Sequence, residues 1–168
     1  MVRVEPLASA PENVDNLAKE VLETLLSQMG VAASVECQTK PPAGEGAGEV
    51  INLDVSGDDL GILIGRRGQT LSALQYVVRL ILAHRTQVKV PIVIDVEGYK
   101  QRRYEALQAL AQRMADQVKA KGRPFTLEPM LAYERRIIHL ALADDPDVTT
   151  ESVGEGETRK VVIMPREQ

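Results

Sequence analysis

The chain of 168 residues has no tryptophan, one phenylalanine, one cysteine and two histidines. With so few aromatic rings, any core must be built from aliphatic side chains. The lone Cys37 excludes an internal disulfide and a cysteine cage for a metal. His84 and His139 leave little for a histidine metal site. No apolar run approaches the roughly 20 residues that cross a bilayer. The stretch from Met1 to Pro6 lacks the apolar segment of a secretory signal. These absences lead to the expectation of a protein in a reducing cytoplasm, with no cofactor, no metal and no membrane contact. Apolar residues make up 44% of the chain and charged residues 26%, the composition of a folded domain of ordinary size or two small ones.

The net charge of −4 conceals a division. Residues 1–60 hold 3 basic and 11 acidic side chains, whereas residues 61–103 hold 8 basic and 2 acidic. The remainder, 104–168, holds 9 basic and 11 acidic. An acidic protein does not coat duplex DNA through bulk charge. A local basic stretch still suffices to hold a few phosphates, although such stretches also occur as plain solvated helix faces.

Hydrophobic periodicity sets the order of elements. Ser9, Pro11 and Glu12 have the spacing of a capping box, and Val14, Leu17, Ala18, Val21, Leu22, Leu25, Leu26 and Met29 form a helical stripe ended by Gly30. Val31, Ala33, Val35 and Cys37 alternate as a strand, so Cys37 packs as a small apolar residue. The flexible stretch Pro41 to Gly48 then joins it to a second strand, Val50 to Val55. A short helix runs from an Asp58–Asp59 cap to Ile64 and is broken by Gly65 to Gly68. Leu71, Leu74, Val78 and Leu82 mark the next helix. Val88 to Val96 alternates as a strand, and Pro91 puts it at a sheet edge. After Gly98 a long helix follows, with Leu107, Leu110, Ala111, Met114 and Val118 as its stripe. A short strand over Pro124–Leu127 precedes a helix opened by Glu128–Pro129, with Met130, Tyr133, Ile137 and Ala141 on one side. Two strands, Val148–Val153 and Lys160–Met164, close the chain. The natural cut falls near residue 98 or 99.

Two places carry chemistry. In Ile62-Leu63-Ile64-Gly65-Arg66-Arg67-Gly68 two short helices meet at a Gly-x-x-Gly turn. Glycines without a Cβ let a sugar-phosphate backbone come close. Amides opening the following helix favour an anion, Gln69 included. Arg66 and Arg67 stand at the tip to pair with phosphates. Ile62, Ile64, Ile92 and Ile94 are expected to form an apolar floor for bases. The second place is Arg135-Arg136-Ile137-Ile138-His139, where Arg135 and His139 share a helix face and Arg136 lies about a quarter turn away. An arginine and a histidine together can contact a phosphate and stack on a base. The terminal hairpin is expected to bring Arg159 and Lys160 to the same helix.

Read with these motifs, the chain resembles a known family. Ile64 to Leu71, with Ala73-Leu74-Gln75-Tyr76 behind it, is similar to the KH domain of the bacterial Jag proteins, also called KhpB or EloR. Asp95 to Tyr99 followed by Arg102-Arg103 resembles that family's passage out of the KH sheet. Arg135 and His139, with the Thr-x-Ser, Gly-Glu and Arg159 tail, resemble its R3H domain. The resemblance covers residues 13–166 and implies an α+β protein. A type II KH domain of helix-strand-strand-helix-helix-strand order spans 13–98, after a lead at 1–12. A small α/β R3H domain spans 99–168, including a linking helix over 99–121. It implies binding of single-stranded RNA, with single-stranded DNA as second choice, by both modules. Post-transcriptional control or RNA chaperoning, with a role in cell elongation and division, is the implied function, and the small KH protein KhpA an implied partner. Many members carry an additional Jag-N domain, which the dozen residues ahead of the first helix lead us to expect missing, along with any envelope role.

The alternatives are an enzyme or an interaction scaffold. Gly65 to Thr70 lacks the Gly-Lys-Ser/Thr ending of a phosphate loop, and His139 has no evident nucleophile, so no enzyme is expected. A scaffold or ribonucleoprotein assembly factor would dock partners through the acidic face Glu12, Asp15, Glu20 and Glu23. The edge strand near Pro91 offers a route to a homodimer.

Overall fold

The computed structural model describes residues 14–40 and 50–166, and the expected capping box at Ser9–Glu12 and the loop Pro41–Gly48 lie outside them. The chain divides into two compact units, Met1–Tyr99 and Lys100–Gln168, each with its own apolar core.

In the first unit, α1 (Val14–Gln28) turns Val14, Ala18, Val21, Leu22 and Leu26 into the core. It ends where Gly30 takes a left-handed φ of 72°. Strand β1 (Ser34–Lys40) pairs antiparallel with β2 (Val50–Ser56), which pairs in parallel with β3 (Ile92–Val96). The register sets Ile51, Leu53 and Val55 beside Ile92, Ile94 and Val96, so one sheet face is a continuous aliphatic layer. Cys37 packs half-buried beside it, and burial, with Asp15 assisting, raises its thiol pKa. The single turn α2 (Gly61–Ile64) and the long α3 (Gln69–Thr86) complete the unit, α3 burying Leu71, Leu74, Val78 and Leu82.

Strand order β1-β2-β3 leaves β3 at an edge, as Pro91 suggests. Its outward-facing amides are partly occupied. The Ile94 amide already donates to Gln75 Oε1 at 3.0 Å, and the Val96 amide to Asp95 Oδ1 at 2.9 Å. Two ladder donors are thus capped by side chains, a common way to protect an edge. Two of the amides that a second copy would pair with near Pro91 are therefore already used.

The second unit starts in α4 (Tyr99–Lys121), which buries Leu107, Ala111, Ala115 and Val118. Its sheet has the order β4-β6-β5, from β4 (Phe125–Thr126), β5 (Val148–Val153) and β6 (Lys160–Pro165), all antiparallel. Helix α5 (Ala132–Ala141) begins later than Glu128–Pro129 implies. The Glu134 carboxylate turns back to accept the Leu131 amide at 3.2 Å, which fixes the first turn there. Of the side expected to be buried here, Met130, Ile137 and Ala141 pack partly buried against the second core. Glu134 is 0% exposed and Ile138 is buried with it, whereas Tyr133 is exposed. An acidic side chain takes a core position because Arg103 on α4 donates Nε–H to Glu134 Oε1 at 2.7 Å.

Candidate nucleic-acid interface

The turn between α2 and α3 is built from left-handed backbone. Gly65 has φ 69°, Arg67 φ 54° and Gly68 φ 76°. For Arg67 that conformation costs about 1–2 kcal/mol, so the surrounding packing must hold it. The turn puts Arg66 on the surface and Arg67 half in it. No side chain caps the N-terminus of α3. Gln69 is exposed there and its amide turns back to Arg66 O, while the amides of the next residues open the helix without an intrahelical acceptor.

The glycines have a reason other than the one anticipated. A Cβ on Gly65 would overlap Thr70 Oγ1 and lie 2.7 Å from Thr70 Cβ. A Cβ on Gly68 would lie 2.9 Å from a Tyr99 ring carbon. The space a side chain would take is filled by the protein itself. What the turn offers an anion is charge and amides, not a vacated Cβ position.

The expected floor needs a larger correction. Ile92 and Ile94 are 1% and 0% exposed, sealed in the core. Strand alternation points them inward to pair with Ile51 and Leu53, so they have no surface for a base. Ile64 is half-buried against the same core, and Ile62 is 67% exposed. Ile62 lines a groove of about 580 Å³ with Met29, Ser34, Ser56, Asp58 and Asp59. Its two carboxylates make it a poor seat for a phosphate.

In the second unit the Arg135–His139 pair is well organised. His139 Nδ1 lies 2.6 Å from Thr150 Oγ1, and Nε2 lies 2.8 Å from Ser152 Oγ. Burial, then the Arg135 charge, holds its pKa below the ordinary histidine value. Arg135 Nε donates to Met130 O at 3.4 Å, and the Met130 amide donates to Arg159 O at 3.2 Å. The backbone at Arg159 is thereby tied to the segment just before α5. Lys160 is not. It pairs with Val153, whereas Val161 pairs with Ser152, and alternation sets Lys160 on the sheet face opposite His139. Arg136 is exposed on α5, flanked at three and four residues by Tyr133 and Leu140, both exposed. Periodicity alone puts Tyr133 on the buried side, so this exposed stripe is not legible in the sequence.

The acidic face proposed for a scaffold is partly occupied. Asp15 accepts a hydrogen bond from Thr39 and Glu23 pairs with Lys19, while Glu12 lies outside the described residues. A different apolar surface stands out: Tyr76, Val77 and Leu80 on α3 are exposed, with Leu80 at 51%. Among the described residues, no group of three or more His, Cys, Asp or Glu side chains is placed to hold a metal. No described helix is long and apolar enough to cross a membrane.

Comparison with known proteins bears on both sites. The model for the KhpA/KhpB KH domain matches residues 19–94, and that for the R3H domain matches 105–165. The RNA-binding protein KhpB of Clostridium symbiosum is 40% identical over 156 residues, which cover 93% of this chain and 68% of that protein. The RNA-binding protein KhpB of Bacillus subtilis is 33% identical over 156 residues, 90% of this chain and 72% of its own length. The one from Lactiplantibacillus plantarum is 40% identical over 106 residues, and the match spans only 33% of it.

Proposed function

The chain belongs to the KhpB family, with a KH domain followed by an R3H domain, and on that footing we propose that it binds single-stranded RNA at two places. The observation that carries the reading is the turn at 65–68. Exposed Arg66 and the half-buried Arg67 stand beside the uncapped start of an 18-residue helix, in the most basic part of an acidic protein. The helix N-terminus and the guanidiniums favour the same ligand, a phosphodiester. A loop of this kind holds roughly four nucleotides, so only short sequence preferences are expected. Arg135, Arg136 and the segment at Arg159 supply the second contact. The domains are placed at 13–98 and 99–168. The protein works in the cytoplasm, in post-transcriptional control, as a binding protein without a catalytic site.

The test is the double substitution Arg66→Asp with Arg67→Asp. Aspartate tolerates the left-handed backbone at residue 67, so the fold survives. Binding of a mixed single-stranded RNA pool is expected to be lost. The single Arg66→Gln should lower the slope of log affinity against log salt by about 0.7, one phosphate contact. Parental binding by the double variant would sink the reading.

The exposed α3 stripe favours a second, compatible reading, docking of a partner protein. A soluble helix normally keeps such side chains covered. The small KH protein KhpA is the partner implied by the family resemblance. Leu80→Asp should abolish its co-purification and leave RNA binding unchanged.

A further inference from the structure

We propose that His139 meets nucleic acid as an uncharged ring clamped by Thr150 and Ser152, and not as a cation paired with phosphate. The inference rests on the single-strand-binding reading above. Residues two apart on a strand stand on one face about 6.6 Å apart, a gap an imidazole can bridge. Both of its nitrogens are used here, at 2.6 Å to Thr150 Oγ1 and 2.8 Å to Ser152 Oγ. A neutral imidazole has one N–H and one lone pair, so one hydroxyl accepts from the ring and the other donates to it. No ring nitrogen is left for a phosphate oxygen. The accepting hydroxyl keeps its own proton to donate outward. Polar contact with a ligand therefore passes through Thr150 or Ser152, and the ring contributes its face.

The charges around the ring agree. On α5 the neighbours are Arg135 and Arg136, both positive. Glu134 lies in the buried face of that helix, held by Arg103. On β5, Glu151 sits between the two clamping residues and points to the other sheet face, as does Lys160 on β6. Neither of these carboxylates faces the imidazole to favour its charged form. Burial and Arg135 both disfavour it. Thr150 and Ser152 are positioning residues: they fix the ring's plane and keep it from swinging out to titrate.

The experiment uses the full chain and a mixed-sequence single-stranded RNA. His139→Gln should weaken binding roughly tenfold, the loss of one stacked ring, with the salt slope unchanged. His139→Phe should keep most of the affinity, and Arg135→Gln should lower the slope by about 0.7. In an NMR pH titration of the free protein, His139 should titrate below a histidine peptide. Thr150→Val with Ser152→Ala should weaken binding as His139→Gln does. The conservative Thr150→Ser and Ser152→Thr should behave as the parent. A slope lowered by His139→Gln, unchanged affinity in that variant, or a midpoint at or above the peptide's overturns the proposal while the binding reading stands. A parent chain that bound no single strand would remove both.

Discussion

Glu134 and His139 sit five residues apart on α5 and do opposite things with charge. Glu134 is fully buried and ionically paired; its loss strands Arg103, whose side chain is 24% exposed. Removing one partner of a buried pair typically costs 3–5 kcal/mol, and the water reaching Arg103 puts Glu134→Ala at about 3 kcal/mol. Urea denaturation followed on the second unit measures this, and Glu134→Gln, which can still accept the Leu131 amide, should lose less. His139 is kept neutral, which makes stability depend on pH. With its pKa depressed in the folded state, the unfolded chain takes up the proton first as pH falls. The contribution is whole above the ordinary histidine range, declines as pH drops through it, and is gone below the folded value. Denaturation midpoints of the second unit should therefore decrease on mild acidification, and His139→Gln should flatten that part of the profile. Neither role was readable from residue type. The partner of Glu134 is 31 residues away, so nothing near it in the chain marks it for burial.

Among the elements, the turn before α3 shows how a binding motif and a packing motif share residues. Gly68 needs both its left-handed φ and the space occupied by Tyr99. Gly122, after α4, has a similar φ of 61° and nothing within 4 Å of its missing Cβ. Gly122→Ala should thus show only the backbone cost, about 1 kcal/mol. Gly68→Ala should lose more, and thermal unfolding of the two variants gives the contribution of the Tyr99 contact by difference. The helices and strands themselves were legible because their apolar residues recur at the helical and strand periods. Faces were less so. On α5 the expected side holds for Ile137 and Ala141, which are partly buried, but the fully buried pair is Glu134 and Ile138, with Arg103 holding Glu134 there. On β3 the apolar alternation is legible, but it does not say whether Ile92 and Ile94 face a ligand or the core, and they face the core.

At the scale of the molecule, the two cores share no residue. Deletion of a large aliphatic side chain from either one should cost about 2–5 kcal/mol. We expect Leu53→Ala to speed hydrogen exchange across α1, α3 and the first sheet while α4, α5 and the second sheet keep their protection, and Ile138→Ala to do the reverse. Joint loss of protection in both variants would argue for a single cooperative unit. Two small modules on one chain also suit the proposed activity, because tethered weak sites reinforce each other on a strand long enough to reach both.

The order of elements, the break near residue 98, the basic Gly-x-x-Gly turn and the Arg135–His139 spacing were all present in the linear pattern. Local periodicity, backbone preference and charge are properties of neighbouring residues, so they survive in one dimension. The pairing of Arg103 with Glu134, the seating of Tyr99 on Gly68, the capped edge of β3 and the clamp on His139 were not. Apart from the Asp95 cap on the next residue's amide, these contacts join residues 11 to 31 positions apart. Those contacts acquire their energy only when the closed chain removes water from both partners, and residue order carries no record of which partners will meet.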